Sequence, residues 1–389
     1  MQRSFAALES RTFDVLVIGG GITGAGIARD AAMRGLSVAI VDKSTWASGT
    51  SSRSSRLIHG GIRYLEHAQI RMVRESVRER EILLRIAPHL VKPLEFTWPV
   101  FREARMPKWK LTIGLTIYDW LAGRKRLHAH SSLDAGETLE REPSLRRDGL
   151  VGGATYFDAS TDDAGLVRAN IRSAAEHGAV AVEHARMESA TLSNGRADGA
   201  IVSSMVKSEG SAHVSARVIV SATGPWQAKG TKGSHIVVPQ ARVGNRSAVT
   251  MTSPDDGRVM FVLPSGDRTI VGTTDLRTDE SPDEVRASDA EVAYLLRAVN
   301  SYFPAAALAA KDVIETWSGI RPLASAPPGS RPSAIPREHR ISRDAAGVIV
   351  VTGGKLTTFR AMAAEVVDAV QRARGQKVAR ASTDEVPLP

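Results

Sequence analysis

The stretch FDVLVIGGGITGAGIARDAAMRGLSVAIVD, residues 13–42, decides the fold of this 389-residue chain. Its first six residues, FDVLVI, are rich in Val and Ile and predict a buried parallel strand. The strand leads directly into 19–24, a G-x-G-x-x-G pattern, and then into a helix predicted over 23–34. A second predicted strand, LSVAIV, ends at Asp42. This order of strand, glycine turn, helix, strand and acid is typical of a dinucleotide-binding unit.

The parts of this unit have separate chemical tasks. The glycines make a tight turn, leave room for a pyrophosphate and let the helix approach the strand closely. The helix N-terminus offers N–H groups and the positive end of its dipole to the phosphates. Asp42 can accept hydrogen bonds from a ribose, which favours NAD or FAD over NADP. The alternative is a glycine-rich turn in an ordinary βαβ unit, and the agreement of all these elements argues against it.

The composition is that of a globular protein, with 42% hydrophobic and 24% charged residues. The chain has no cysteine, which excludes disulfides, cysteine-ligated metals and a thiol nucleophile. Redox chemistry would therefore need a bound cofactor, and no metal site is predicted. The net charge of +9 favours an anionic partner, either a phosphorylated small molecule, a lipid surface or nucleic acid. We do not predict nucleic acid, because the basic residues form no binding motif.

The sequence also bears on location. No stretch approaches 18 consecutive apolar residues, so we predict no membrane-spanning helix. The first residues, MQRSFAALESRTFDV, lack the pattern of a secretory signal. A cytoplasmic protein is therefore expected.

The segment 43–65, KSTWASGTSSRSSRLIHGGIRYL, replaces the plain helix that an ordinary NAD enzyme would have after Asp42. It is too polar and flexible to be core, and it suits the wrapping of an anionic ligand. With seven further motifs, it closely resembles the FAD-dependent glycerol-3-phosphate dehydrogenases, within the flavoproteins related to glutathione reductase and D-amino-acid oxidase. The motifs span most of the chain in this order: GGGITGAGIARDAAMRG, WASGTSSRSSRLIHGGIRYLE, KGSHIVVP, GRVMFVLP, TIVGTTD, SGIRPL, PREHRI and VTGGKLTTFR.

The resemblance implies an α/β fold with a Rossmann-like FAD-binding domain and an interleaved α+β substrate domain. The FAD-binding domain would be discontinuous and would consist of 12–95, 150–235 and 315–375. The substrate domain would consist of 96–149 and 236–314.

The chain departs from the family pattern in two places. The family usually continues into a C-terminal helical domain, whereas this chain stops at Pro389. We therefore expect 376–389 to be a frayed or extended tail, the start of that missing domain. In addition, only QAKGT lies between Trp226 and Lys232, where relatives have a longer connection.

The activity that the resemblance implies is oxidation of sn-glycerol 3-phosphate to dihydroxyacetone phosphate, with hydride transfer to N5 of the flavin. This reaction needs a base for the proton, cations for the phosphate and a positive site for the reduced flavin. The motif VTGGKLTTFR meets the last need if its glycine pair opens a helix whose dipole faces the flavin. A simple strand–helix turn is the alternative reading.

The phosphate of the substrate is best bound by arginine, because a guanidinium can donate two parallel hydrogen bonds to it. The resemblance assigns four residues to the substrate, namely Arg63, Tyr64, Arg337 and Lys355. For any single Arg or Lys, a surface salt bridge would be the ordinary interpretation. The positions of Arg63, Arg337 and Lys355 inside motifs argue against that interpretation here.

The catalytic residues are predicted to be His235 and Arg321. A neutral imidazole can accept a proton near physiological pH, and Arg321 would lie beside the reacting oxygen. His59 is assigned to the flavin instead. The GTTD residues could orient these groups, with a tight turn as an equal alternative; they are Thr273, Thr274 and Asp275.

The residues assigned to FAD come from the glycine turn, the polar segment, the sheet strands and the last motif. They are Gly19, Gly21, Ile22, Thr23, Gly24, Asp42, Lys43, Thr50, Ser51, Ser52, Ser55, His59, Gly60, Gly61, Met187, Ala222, Thr223, Gly224, Gly354, Lys355, Leu356 and Thr357.

The stretch 102–126 holds seven Arg and Lys residues around an aromatic and aliphatic centre. This pattern suits a helix that lies in the headgroup layer of a membrane. The alternative is a domain helix that packs on the sheet and has a solvated basic end. Peripheral contact with an anionic membrane surface, on its inner face, is therefore one of two interpretations.

The sequence leaves several functional alternatives open. The electron acceptor is quinone or oxygen, and a homodimer is neither required nor excluded. A related FAD-dependent amine or hydroxy-acid oxidase is the second reading, and a non-catalytic flavin-binding remnant is the third.

Overall fold

The computed structural model describes residues 5–67, 69–123, 128–206, 210–224, 230–321 and 339–389, without the side chains of residues 63, 66 and 67. These ranges contain eight α-helices. The helices are α1 (Ile22–Met33), α2 (Ile70–Ile86), α3 (Lys108–Ala122), α4 (Ala135–Arg141), α5 (Asp163–Glu176), α6 (Gln240–Val243), α7 (Asp289–Tyr302) and α8 (Phe359–Ala373). The strands are β1 (Val15–Ile18), β2 (Val38–Val41), β3 (Leu57–Ile58), β4 (Val91–Phe101), β5 (Ser131–Leu133), β6 (Leu150–Thr161), β7 (Val180–Val182), β8 (Ala185–Ser193), β9 (Arg196–Ser204), β10 (Ser211–Ser215), β11 (Ile219–Ser221), β12 (Gly230–Pro239), β13 (Ala248–Thr252), β14 (Val259–Ser265), β15 (Arg268–Gly272), β16 (Leu276–Thr278), β17 (Glu315–Arg321), β18 (Arg340–Arg343) and β19 (Ile349–Thr352).

A six-stranded sheet with the order β18-β19-β11-β1-β2-β7 contains the N-terminal unit. Its strands pair in parallel except for the edge strand β18. Every residue of β1 and β2 is buried, as expected for parallel strands covered on both faces. Helix α1 packs closely against α5 and α8. On the other side, a three-stranded antiparallel sheet, β10-β9-β8, shares a core with β1 and β11.

A ten-stranded sheet forms the other large layer, with the path β16-β12-β15-β14-β13-β4-β6-β3, while β17 pairs with β12 and β5 with β6. Helix α7 buries Leu295 and Val299 against this sheet. Its first turn is fixed by a capping box between Ser288 and Glu291. Strand β12 pairs with β15 and β16 along one edge and with β17 along the other. This pairing places the motifs KGSHIVVP, TIVGTTD and SGIRPL side by side.

One local prediction was wrong. The last helix was expected to open at the glycine pair. Instead, Gly353 and Gly354 have φ values of +74° and +92°, and α8 begins only at Phe359. The left-handed backbone of the two glycines turns the chain before the helix can start.

The C-terminal tail is extended, as one alternative predicted, but it is not frayed. The buried Arg29 donates a hydrogen bond to the carbonyl of Val386 (2.7 Å). The N–H of Leu388 donates to the carbonyl of Ile86 (2.7 Å), and the Leu388 side chain is buried. The tail therefore closes part of the core beside α1 and α2.

The domain division remains a prediction. Three strands that lie wholly within the ranges assigned to the FAD-binding domain, β3, β6 and β17, pair within the ten-stranded sheet. In the part of the chain that the structure describes, no helix has the length and apolar character needed to cross a bilayer.

Candidate functional site

A cavity of about 780 Å³ runs from the carboxyl ends of β1 and β2 to strands β12 and β17 of the large sheet. Its size is within the usual range for ligand and cofactor sites. Most predicted site residues line it: Gly19, Gly21, Ile22, Thr23, Asp42, Lys43, Thr50, Ser51, Ser55, His59, Tyr64, Met187, Ala222, Thr223, Gly224, His235, Arg321, Gly354, Lys355, Leu356 and Thr357.

The glycine turn at one end of the cavity depends on the absence of side chains. Gly19 has φ +108°, and a Cβ there would lie 2.7 Å from the carbonyl oxygen of Ala222. A Cβ on Gly24 would overlap the carbonyl oxygen of Gly19. Gly24 does not line the cavity, because it lies underneath the turn and permits the contact between α1 and β1. This is the packing task that the sequence assigned to one of the glycines.

Asp42 lines the cavity at the end of β2, and its carboxylate also holds the neighbouring backbone. Its Oδ2 accepts from the N–H of Gly20 (2.6 Å), and its Oδ1 accepts from the N–H of Ser44 (2.8 Å). Burial raises the pKa of this carboxyl, and the two backbone hydrogen bonds oppose the rise. Each carboxylate oxygen can accept more than one hydrogen bond, so acceptance from a ribose is compatible with this arrangement.

The polar segment after β2 connects the two ends of the cavity. Ser51 Oγ accepts from the N–H of Ile22 at the start of α1 (2.9 Å). Thr50 donates to the carbonyl of Ile320 in β17 (3.0 Å). Ser55 Oγ lies 2.8 Å from Nε2 of His235. The segment therefore holds the helix N-terminus and the catalytic candidates in one framework, and Ser55, predicted as a flavin ligand, contacts the imidazole.

His235, the predicted base, is buried between its cross-strand neighbours. Its ring stacks on Trp317 of β17 at 5.1 Å, and Gly272 of β15 lies on the other side, where a Cβ would overlap the ring. Arg56 lies over the outer face of Trp317 at 5.0 Å. Burial, with the nearby charges of Arg321 and Arg56, lowers the pKa of His235 to about 3. The imidazole is therefore neutral at physiological pH.

One nitrogen of this imidazole faces no partner. Nδ1 of His235 is buried and has no hydrogen-bond partner among the described residues. A buried ring nitrogen of this kind is costly unless another group satisfies it. Because His235 lines the cavity, a ligand is the natural partner.

Arg321, the second catalytic candidate, is fixed by the GTTD turn. Its Nη1 lies 2.9 Å from Asp275 Oδ1 and donates to the carbonyl of Thr274 (3.3 Å). Its Nη2 donates to Thr273 Oγ1 (3.1 Å). A Cβ on Gly233 of β12 would overlap Nη2. The turn residues thus orient the guanidinium at the cavity, as one of the two sequence interpretations expected.

A buried polar network lies behind these two residues. Glu291 Oε1 accepts from the hydroxyls of Ser234 (2.7 Å) and Thr274 (2.8 Å), the neighbours of His235 and Asp275 in the chain. Glu291 also pairs with Lys232 at 3.0 Å. Burial opposes its charge, but hydrogen bonds from Ser288, Ser234 and Thr274 hold its pKa below the usual value. The network fixes β12 relative to the GTTD turn.

The last motif and the segment around His59 meet at the cavity. Thr357 Oγ1 accepts from the N–H of His59 (3.1 Å) and donates to its carbonyl (3.2 Å). Lys355 Nζ lies 4.0 Å from the centre of the Tyr64 ring. A cation and an aromatic ring at this distance attract each other. The loop 353–358 therefore brings backbone groups and a positive charge to the cavity without the helix start that was predicted.

Some predicted residues do not line the cavity or fall outside the described atoms. Ser52, Gly60 and Gly61 lie beside it. The side chain of Arg63 and the whole of Arg337 are outside the part that the structure describes.

Several cavity residues were missed by the sequence interpretation. Gly233 and Gly319 are cross-strand partners in β12 and β17, and they leave room for Arg321 and Arg53. Glycine inside a strand marks a close approach, so the motifs KGSHIVVP and SGIRPL carried this signal. Arg53 and Phe261 also line the cavity, and only the fold brings them there.

The residues present suit FAD. The turn at Gly19 permits the close backbone approach that a pyrophosphate needs, and Asp42 lies where a ribose acceptor is required. The same cavity continues to the unsatisfied nitrogen of His235. No group of three His, Asp or Glu side chains suited to a metal ion occurs among the described residues.

Comparison with known proteins agrees with this site. The chain matches the family described as FAD dependent oxidoreductase over residues 14–369. It is 38% identical over 380 residues to an aerobic glycerol-3-phosphate dehydrogenase of Staphylococcus saprophyticus, covering 94% of this chain and 68% of that protein. It is 37% identical over 383 residues to the protein of the same name from Bacillus subtilis, covering 95% and 68%.

A solved structure gives the same result. The glycerol-3-phosphate dehydrogenase of Bacillus halodurans, complexed with FAD, superimposes with a TM-score of 0.81 at 32% identity, covering 98% of this chain and 69% of that one. The predicted resemblance, the predicted fold class and FAD as cofactor are confirmed by these findings. The chain belongs to the FAD-dependent oxidoreductases and, within them, to the glycerol-3-phosphate dehydrogenase family.

Proposed function

We propose that the chain oxidises sn-glycerol 3-phosphate to dihydroxyacetone phosphate. The observation that carries the proposal is that one cavity is lined both by a buried, neutral His235 and by the fixed guanidinium of Arg321. Relatives that are 37–38% identical over more than nine tenths of this chain carry the name glycerol-3-phosphate dehydrogenase. FAD, when bound, supplies the acceptor for the hydride.

The proton of the alcohol goes to His235. Oxidation of a secondary alcohol removes a hydride from carbon and a proton from oxygen, and a neutral imidazole can take that proton. A pKa this low keeps the ring neutral, but it also makes the ring a weak base while the charges of Arg321 and Arg56 are unopposed. The approach of an anionic substrate would offset the charges of Arg321 and Arg56 and raise that pKa. Stacking on Trp317 holds the ring in one orientation during the transfer.

The substrate phosphate is held by cations. Arg321 and Lys355 both line the cavity, and a guanidinium fork matches the geometry of a phosphate or an alkoxide. Arg63 and Arg337 complete the proposed phosphate site on the strength of their motifs. Tyr64 lies beside Lys355, with its ring centre 4.0 Å from the ammonium nitrogen.

Anaerobic titration tests this function. Glycerol 3-phosphate added without oxygen should bleach the yellow flavin of the purified holoprotein in proportion to the substrate added. Bleaching by amines or hydroxy acids, but not by glycerol 3-phosphate, would assign the chain to another oxidase activity. A flavin that no substrate reduces would indicate a non-catalytic protein.

The electrons then pass to a quinone in an anionic membrane, which α3 contacts; oxygen is the alternative acceptor. One face of α3 exposes Trp109, Ile113, Ile117 and Trp120, with Trp120 76% exposed. The opposite face is buried through Leu111, Leu115 and Tyr118, as the domain-helix interpretation expected. Basic residues before and within α3 favour anionic headgroups.

Vesicle binding tests this contact. The holoprotein should sediment with vesicles of anionic lipid and dissociate in high salt, and the double variant Trp109→Ser, Trp120→Ser should remain in the supernatant. Leu192→Ser, which removes an equally exposed apolar side chain from β8, is the matched control and should bind normally. If the double variant binds as well as the control, the face does not contact membrane. If it changes the oligomeric state instead, the face contacts a second copy of the chain.

A further inference from the structure

The buried carboxylate of Asp275 is contacted by two arginines from different parts of the chain. Its side chain is 1% exposed. Oδ1 lies 2.9 Å from Arg321 Nη1, and Oδ2 lies 2.9 Å from Arg258 Nη1. Arg321 ends β17, whereas Arg258 immediately precedes β14. Asp275 is therefore an ionic bridge between two segments that do not otherwise share a motif.

The bridge decides the charge that Arg321 can offer. A carboxylate paired with one guanidinium forms a neutral unit, and such a unit attracts an anion weakly. Asp275 faces two guanidiniums and cannot neutralise both, while Arg258 also lies 3.6 Å from the exposed carboxylate of Asp256. Because Asp275 is buried, little water screens this arrangement.

Arg258 does not line the cavity, whereas Arg321 does. The ion pair of Arg258 with Asp275 links it to Arg321 at the cavity wall. Arg258 binds the carboxylate from the side opposite to Arg321 and fixes its position. Thr273 accepts from Nη2 of Arg321, and the carbonyl of Thr274 accepts from the same Nη1 that pairs with Asp275. The guanidinium therefore has a defined plane at the cavity wall.

We propose that Arg258 is a positioning residue for Arg321, acting through Asp275 so that this carboxylate does not neutralise Arg321 alone and the Arg321 guanidinium keeps a fixed orientation toward an anionic substrate. The proposal rests on the proposed function for the identity of that substrate. It adds a residue outside the cavity to the phosphate-binding end of the site.

Inorganic phosphate is the probe, and calorimetry on the holoprotein is the measurement. Arg258→Gln should weaken phosphate binding about tenfold and raise the KM for glycerol 3-phosphate similarly, with flavin content unchanged. Arg258→Lys keeps the charge and should bind phosphate nearly as well as wild type. The matched control is Arg297→Gln, because Arg297 forms an exposed pair with Asp255 at 2.6 Å and makes no contact with Asp275.

A double variant separates charge from structure. Arg258→Gln with Asp275→Asn removes one charge of each sign and so restores the net charge of the wild-type cluster, and phosphate binding should recover in part. A merely structural role for Arg258 predicts further loss instead. The proposal is overturned if Arg258→Gln binds phosphate as tightly as Arg297→Gln, or if the double variant is weaker than Arg258→Gln.

The two proposals fail in different ways. If glycerol 3-phosphate does not reduce the wild-type flavin but Arg258→Gln still weakens phosphate binding, the proposed function is wrong and the role of Arg258 stands. If wild type is reduced and Arg258→Gln matches its control, only the role of Arg258 is wrong.

Discussion

The two ends of the cavity are built in different ways. The cofactor end, from β1 to Asp42, is one continuous segment whose shape depends on backbone and on glycines without side chains. The substrate end assembles side chains from the polar segment, β12, the GTTD turn and β17, and holds them with buried hydrogen bonds and ion pairs. The first end should therefore be sensitive to added volume, and the second to lost charge or lost hydrogen bonds.

Gly24→Ala should have the largest effect on the cofactor end. The new methyl group would overlap the carbonyl of Gly19, so the turn must move away from the phosphates. We expect protein that purifies largely without flavin and is about 1–3 kcal/mol less stable. Gly49→Ala is the control, because no heavy atom lies within 4 Å of a Cβ at that position on the cavity wall. Normal flavin content in Gly24→Ala would contradict the assigned role of the turn.

His235→Gln should be the most damaging change at the substrate end. Loss of a positioned base lowers rates by roughly 10²–10⁴-fold, so anaerobic flavin reduction should slow by that range. Flavin content should stay near wild type, because His235 lies far along the cavity from the glycine turn. Stopped-flow absorbance measures the rate, and a rate within a few fold of wild type would show that another group takes the proton.

Asp42→Asn and Asp42→Ala sharpen the comparison at the cofactor end. Loss of a charged acceptor should weaken FAD binding by roughly 1.5–3 kcal/mol. Alanine should be worse than asparagine, since it also removes the acceptor for the N–H of Gly20. Reconstitution of the apoprotein with FAD gives both affinities. Unchanged affinity in both variants would mean that Asp42 is not a ribose ligand.

The buried imidazole should also make the protein sensitive to acid. In the unfolded chain His235 titrates near 6.5, whereas burial lowers its folded pKa to about 3. Below pH 6.5 the unfolded state therefore binds a proton that the folded state does not, and stability falls as pH falls towards 3. Between pH 6.5 and 5, wild type should lose about 1.6 kcal/mol relative to His235→Gln in urea unfolding. A pH-independent difference would contradict a neutral, buried His235.

The sequence predicts the cofactor end better than the substrate end, for a physical reason. Strand, turn, helix and acid are local, so 13–42 specifies them nearly residue by residue. The contacts of His235 with Ser55 and Trp317 join residues far apart in the chain, and no local pattern encodes them. Motif resemblance supplied His235 and Arg321, but not Arg258 or Gly319. The start of α8 was missed because two left-handed glycines delay it.

The most direct test of the difference between the two ends is Arg321→Ala, assayed for flavin content and for the rate of anaerobic flavin reduction, with Arg321→Lys beside it. We predict normal flavin content, and a loss of about 2–4 kcal/mol in transition-state stabilisation. Lysine should rescue only part of this loss, because it keeps the charge without the fork. Protein that purifies without flavin, or that is reduced at the normal rate with normal substrate affinity, would contradict the assignment of separate roles to the two ends of the cavity.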